Sequence, residues 1–414
     1  MKLFINDMLY AFSFALDCVE GELLGVRARH SERVAYMCIK TAQKLGIAGC
    51  ELSSLAAGAV LHDNALTEYI SSERQRDVDG SAFGDPAKRT AALKQNFIRH
   101  CELGEKNVEI MPFYQQIQGA VLCHHENANG SGPLKRKSAE TPVFAQLIHI
   151  ADTIDNIFSL DVLDEGKYEK ISAYINKNSD VLFSREVAGA FRDAFPASSM
   201  TVLQGEGIRG KLVALLPHQS VAYSNEDVQA LATMFAKITD YKSHFTCSHS
   251  LGIAQKSRKM GEYYGCGDEE CTKLYLAGAL HDIGKLAISN TILEKPGKLT
   301  SKEFEVMKGH ALYTWKILNE IDGLGEIVEW ASFHHEKLNG RGYPFGKKSS
   351  ELNRNERLLC CIDIYQALTE ARPYKPGRSH TDTMTVMREM AAKGEIDAGI
   401  TEDINKCYEQ TRFA

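Results

Sequence analysis

Proline is scarce in this sequence, at 10 of 414 residues. Proline breaks helix interiors, so its scarcity leaves long stretches free to be helical. No apolar run approaches the ~20 residues a membrane-spanning helix needs. The most apolar N-terminal stretch, Met8–Leu16, is nine residues fenced by Asp7 and Asp17. Asp7 also spoils a secretory signal, so a cytoplasmic protein is expected. There is no basic excess: 48 Lys and Arg face 54 Asp and Glu, for a net charge of −6. That excludes a DNA or RNA polymer as principal partner. No CxxC pair occurs among the 11 scattered cysteines, which argues against a disulfide framework and for reduced thiols. Cys360–Cys361 lie in the apolar run Leu358–Ile362 and read as core. Few segments alternate strictly in the manner of half-buried strands. Gly207–Pro217 is the best strand or hairpin candidate.

What is present is helical periodicity and enough apolar residues, 44% of the chain, to exclude disorder. Asp227–Thr239 places Val228, Leu231, Ala232, Phe235, Ala236 and Ile238 on one helical stripe. Met and aromatic residues near 307–315 read as another helix's core face. The chain reads as all-α.

The histidines repeat. His30 to His62 spans 32 residues, as does His249 to His281. His100 to His124 spans 24, as does His310 to His334. Both pairs of blocks continue as His-His-Glu, at 124–126 and 334–336. Asp152 follows His125 by 27, and Asp363 follows His335 by 28. Asp63 to His100 is 37 against 28 for Asp282 to His310, the one clear length change. Ten of the 14 histidines fall in this frame, so we read an internal duplication of about 219 residues. The expected units are 1–200 and 221–414, joined by a linker at 201–220 that could hold a short β-hairpin.

The second unit offers His249, His281, Asp282, His310, His334, His335 and Asp363. Five imidazoles and two carboxylates without a thiolate favour Fe, Mn, Zn, Co or Ni. Seven ligands suit two ions, with Asp282 between them. A pair of ions suits phosphoester hydrolysis, because both draw charge from a shared water and clamp the phosphoryl oxygens. Lys285, four after His281, is expected on the same helical face, ready to hold a phosphate oxygen. His149, His218, His244 and His380 fall outside the frame and read as structural.

These residues resemble the HD-GYP phosphodiesterases, a branch of the HD metal-dependent phosphohydrolase superfamily. The matching text is His249-Ser250, His281-Asp-Ile-Gly-Lys285, His310, the run from His334 to Pro344 with its Gly342-Tyr343-Pro344, Asp363-Ile-Tyr-Gln-Ala-Leu-Thr369 and Arg372-Pro-Tyr-Lys375. It covers about residues 225–380. The resemblance implies a helical bundle with a metal centre on the seven ligands above, Fe or Mn foremost. It implies hydrolysis of a cyclic dinucleotide, cyclic di-GMP or 3',3'-cyclic GMP–AMP, to a linear dinucleotide. Asp282 and Lys285 take catalytic roles. Gly342, Tyr343, Pro344, Arg372 and Lys375 take substrate-binding roles. Three-metal members carry an acidic ligand four residues before the first His; Phe245 stands there, which argues for two ions. Gln366 replaces the Asp many members carry.

The first unit keeps His30, His62, Asp63, His100, His124, His125 and Asp152, a second candidate metal set. Leu66 stands at the place of Lys285, and no Tyr precedes Pro133. The ligand set is intact and the substrate set degraded. A metal-holding or vestigial domain that packs on or regulates the second unit is expected. Oligomeric state is left open, a homodimer included. Competing readings are an HD hydrolase of another nucleotide phosphate, a non-catalytic cyclic-dinucleotide sensor, and di-iron oxygen chemistry.

Overall fold

The computed structural model describes residues 1–414 except 25–27, 67, 70–96, 163, 165, 206, 219, 243–248, 296, 372–375 and 410–414. The chain divides into two compact units. One runs Phe4–Gln219; the other comprises Ser220–Ala414 together with Met1–Leu3. Both are helical bundles. The sole sheet among the described residues pairs Lys2–Leu3 antiparallel with Val221–Ala222. No helix of the described residues is long and apolar enough to cross a membrane.

In the first unit, helix His30–Lys44 lies at the centre. Helices Ile5–Leu24, Cys50–Val60, Val143–Phe158, Arg185–Ala194 and Ile208–Val213 pack on it. It is buried almost all round, with Val34, Ala35, Met37, Cys38 and Ile39 shut away from water. In the second unit His249–Tyr263 plays that part, against Asn225–Tyr241, Asp268–Leu280, Arg354–Thr369 and Ala398–Tyr408. The apolar stripe expected in Asp227–Thr239 faces inward residue for residue: Val228, Leu231, Ala232, Phe235, Ala236 and Ile238 are all buried. A fully buried Leu, Ile or Phe contributes ~1.5–3 kcal/mol. Such a core offsets the cost of burying the polar groups described below.

Local sequence sets the helix starts. Ser224 with Asp227, Thr300 with Glu303 and Asn353 with Glu356 form capping boxes at the starts of Asn225–Tyr241, Ser301–Leu318 and Arg354–Thr369. Each satisfies backbone N–H groups that have no partner within the helix. Val143–Phe158, the first-unit counterpart of Arg354–Thr369, begins without a side-chain cap.

Three expectations need correction. Gly207–Pro217 is not a strand: Ile208–Val213 is a helix, held because Ile208 and Leu212, one turn apart, are buried together. The first unit also continues through 201–219, so these residues are not a free linker. On helix Ser301–Leu318 the core face is His310, Ala311, Thr314, Ile317 and Leu318. The aromatics point elsewhere, with Phe304 48% and Tyr313 39% exposed.

Candidate metal centre

In the second unit the seven expected ligands come from five elements. His249 opens helix His249–Tyr263. His281 and Asp282 follow the end of helix Asp268–Leu280. His310 is in mid-helix of Ser301–Leu318, His334 and His335 follow Ile327–Ser332, and Asp363 is on Arg354–Thr369. All but His335 are buried.

Their donor atoms fall into two groups of three, His249 with His281 and Asp363, and His310 with His334 and His335. Asp282 lies between them. Its Oδ2 is 3.0 Å from His281 Nε2 and 3.7 Å from His249 Nε2. Its Oδ1 is 3.5 Å from His310 Nε2 and 4.0 Å from His334 Nε2. The carboxylate therefore turns one oxygen to each group. The rings are aimed from behind. His281, His310 and His334 each place Nδ1 2.6–2.8 Å from a carbonyl oxygen, of Gly278, Met307 and Ala331. A carbonyl only accepts, so Nδ1 carries the proton and Nε2 presents its lone pair inward. His281 Nε2 is buried with no hydrogen-bond partner. An inward imidazole nitrogen beside a carboxylate, with the ring's other nitrogen already taken by a carbonyl, fits a divalent ion.

The electrostatics agree. Burial, reinforced by His335 and Lys285, pushes His310 down to about 3. Burial likewise holds His334 well below its ordinary value. Asp363 and Asp282 are depressed despite burial, because His249 hydrogen-bonds Asp363 and the His281 ring and the Lys285 ammonium face Asp282. Neutral His310 and His334 and ionised carboxylates suit metal binding, whereas His249, raised to about 9 by Asp363 and Glu370, must give up a proton to bind.

Lys285 reaches the site by a different route from the expected one. The α-helix stops at Leu280, and Ile283–Ala287 is a 3₁₀ turn. A Cβ on Gly284 would stand 2.0 Å from His310 O and 2.5 Å from Thr314 N, so this turn presses on helix Ser301–Leu318. From the turn, Lys285 Nζ meets Asp282 Oδ2 at 2.5 Å. Burial would lower its pKa, but Asp282 raises it above the ordinary lysine value. Its side chain remains 24% exposed.

Sequence reasoning missed three contributors. Glu370 Oε2 is 2.9 Å from His249 Nδ1; Glu370 directly follows helix Arg354–Thr369, four residues beyond Gln366. Glu336, the third residue of His-His-Glu, is no ligand. It accepts backbone N–H groups of Phe345, Gly346 and Lys347 and so ties down the Gly342-Tyr343-Pro344 loop. That loop sets the Tyr343 ring 4.7 Å from the His335 ring. Gly342 is obligatory here, since a Cβ would lie 2.3 Å from Lys337 N. The third contributor, Cys101, belongs to the first unit. The signal for Glu336 was its recurrence as Glu126, which binds the Leu134 and Arg136 N–H groups in the same way. Arg372, Lys375, Phe245 and His244 lie outside the described residues. The other three histidines outside the frame have neighbours of their own: His149 beside Asn127, His218 stacked on Phe4, His380 beside Tyr365.

The first unit brings its set together too. His30 Nε2 is 3.2 Å and His62 Nε2 3.7 Å from Asp152 Oδ1. His100 and His124 Nε2 are 3.3 Å and 3.5 Å from Asp63 Oδ1. His62 Nε2 is buried without a hydrogen-bond partner. Leu66 at the lysine's place is buried.

Comparison with known proteins follows the same division. Residues 27–157 and residues 232–400 each match an HD domain family. The chain is a tandem HD-domain protein. Its second unit gathers the histidines, the HD pair and the Gly-Tyr-Pro loop round one centre. The tandem protein is similar to 3'3'-cGAMP-specific phosphodiesterase 1 of Vibrio cholerae serotype O1, 28% identical over 98% of this chain and 92% of the relative. It is also similar to a cyclic di-GMP phosphodiesterase of Pseudomonas aeruginosa, 33% identical over 35% of each chain. A crystal structure of a cyclic GMP–AMP-specific phosphodiesterase of V. cholerae shares the fold, with a TM-score of 0.66 at 22% identity, over 100% of this chain and 99% of that one.

Proposed function

We propose that the second unit is a metal-dependent phosphodiesterase that opens a cyclic dinucleotide, 3',3'-cyclic GMP–AMP or cyclic di-GMP, to a linear dinucleotide. The observation that carries this is the Asp282 carboxylate, with one oxygen toward each of two three-residue ligand groups. His249, His281 and Asp363 would hold one divalent ion, and His310, His334 and His335 the other. Fe or Mn suits this sulfur-free set first, with Ni, Co or Zn acceptable. Bound there, two divalent ions acidify water and neutralise charge on phosphoryl oxygens. The similarity to relatives named for cyclic-dinucleotide hydrolysis supports the substrate class.

The chain's own groups do the rest. Lys285 stays protonated beside Asp282, and its partial exposure lets the ammonium turn to a phosphate oxygen as charge builds on it. Burial and the nearby Asp363 and Asp282 raise the Tyr343 phenol above its ordinary value, so it remains a hydrogen-bond donor at the mouth of the site. Glu370 fixes the His249 ring. Glu336 and Gly342 fix the loop that presents Tyr343 and Pro344. Arg372 and Lys375 supply further phosphate or base contacts.

The test is product analysis by chromatography. Protein reloaded anaerobically with Fe(II) or Mn(II) is offered cyclic GMP–AMP, cyclic di-GMP and cyclic di-AMP in parallel. Cleavage of one to a linear dinucleotide is expected. Survival of all three, with two ions held in the second unit, overturns the reading.

A further inference from the structure

His100-Cys101 in the first unit occupies the place of His310-Ala311 in the second, and Cys101 and Ala311 are both buried. Cys101 Sγ lies 3.5 Å from His100 Nε2. His100 and His124 Nε2 are 3.5 Å apart. One donor atom from each of His100, Cys101, His124 and His125 falls within 4.8 Å of the others. Four donors around one zinc ion stand roughly 3.3–3.6 Å apart, given its Zn–N and Zn–S distances. Next to this cluster is His62 Nε2, buried with no hydrogen-bond partner. The second unit's two ligand groups contain no sulfur.

We propose that the first unit holds a closed thiolate–imidazole site of the zinc class, with Cys101 as a ligand beside His100, His124 and His125. On binding, the Cys101 Sγ–H proton leaves to solvent as the sulfur–metal bond forms. A thiolate shifts preference from hard ions such as Mn toward zinc. Added to the three imidazoles and the neighbouring Asp63 Oδ1, the thiolate takes up coordination that a hydrolytic site leaves to water. The two halves of the duplication thereby differ in metal as well as in substrate groups.

The test uses the full chain, stripped of metal and titrated with Co(II), whose thiolate complexes absorb in the near ultraviolet. A sulfur-to-cobalt charge-transfer band is expected, bleached by Zn(II) and absent in Cys101→Ala. Alanine stands at the same place in the second unit, so the variant should keep its far-ultraviolet circular dichroism; Cys101→Ser is the second variant should it not. Zinc affinity of the first unit should fall at least about tenfold. No sulfur band in the wild type at saturating Co(II), or an unchanged band in Cys101→Ala, overturns the proposal. Turnover by the second unit is assayed separately, so either reading can fail alone.

Discussion

The two units gather the same seven candidate ligand residues, yet they back the first histidine differently. In the first unit His30 Nδ1 meets Asp155 at 2.6 Å, and Arg33 grips the same carboxylate from the other side at 2.8 and 2.9 Å. In the second unit Asp155 has become Gln366 and Arg33 has become Gly252. A Cβ on Gly252 would lie 2.7 Å from the Gln366 amide, so the glutamine takes the space the arginine fills. The carboxylate has moved one helical turn to Glu370, where it faces His249 at 2.9 Å. The ligand position is preserved while its support is rebuilt. A buried ion pair therefore locks the first unit. The second backs its histidine through a more accessible carboxylate and spends its polar groups on Lys285 and Tyr343.

The largest effect should come from Asp282. Asp282→Ala should lower turnover on the order of 10³-fold or more and release metal from the second unit, since one carboxylate serves both ligand groups. Asp63→Ala should cost turnover less than about tenfold; equal losses in the two variants would erase the division of labour. Next, Lys285→Leu copies the first unit's Leu66. It should lower kcat by roughly 10²-fold, the scale of one electrostatic stabiliser, with metal content retained. Metal loss equal to the activity loss would instead make Lys285 a structural group. Third, Arg33→Ala leaves the Asp155 charge buried beside His30 alone and should destabilise the first unit by about 3–5 kcal/mol. Gln366→Ala should cost the second unit only about 1 kcal/mol. Denaturant unfolding of both variants checks the ranking.

The smallest effect concerns pH in the metal-stripped protein. Burial opposes protonation of His249, but Asp363 and Glu370 overcome it and raise the ring from 6.5 to about 9. A folded-state pKa above the unfolded one stabilises most at low pH. His249 thus contributes fully below about pH 6.5, and its contribution fades as pH rises through about 9. Glu370→Gln should flatten the fall in melting temperature across that window. An unchanged profile would remove Glu370 from the account.

The ligand positions could be read from the sequence because repeated spacings at helical period return side chains to one place. Asp282 and His310 were legible for that reason, as was the inward stripe of Asp227–Thr239. That Lys285 lies beside the cluster was legible, but not the route by which it gets there. The spacing from His281 assumes a continuing helix, and contact between Gly284 and the His310 carbonyl ends it. Glu370 escaped because its partner is 121 residues away in sequence. Cys101 looked like one scattered thiol among eleven, since nothing in a composition shows which thiol faces a histidine cluster. The strand expected at 207–217 failed because short apolar runs fit a one-turn helix as readily as a strand.

Gly284 accepts the neighbouring helix at backbone distance, and Thr314 Oγ1 then serves both the Gly284 N–H and the His281 carbonyl. The first unit has the small residue on the other partner: Ala65 faces Gly104, where a Cβ would lie 2.9 Å from Val121. Each half has drifted as a matched pair. A crossover exchanging only one helix would bring Ala65 against a threonine, or leave the Gly284 N–H unpaired against a glycine. Genetic recombination between the copies would then be penalised at this seam, and two sister sequences that began alike have become incompatible spare parts.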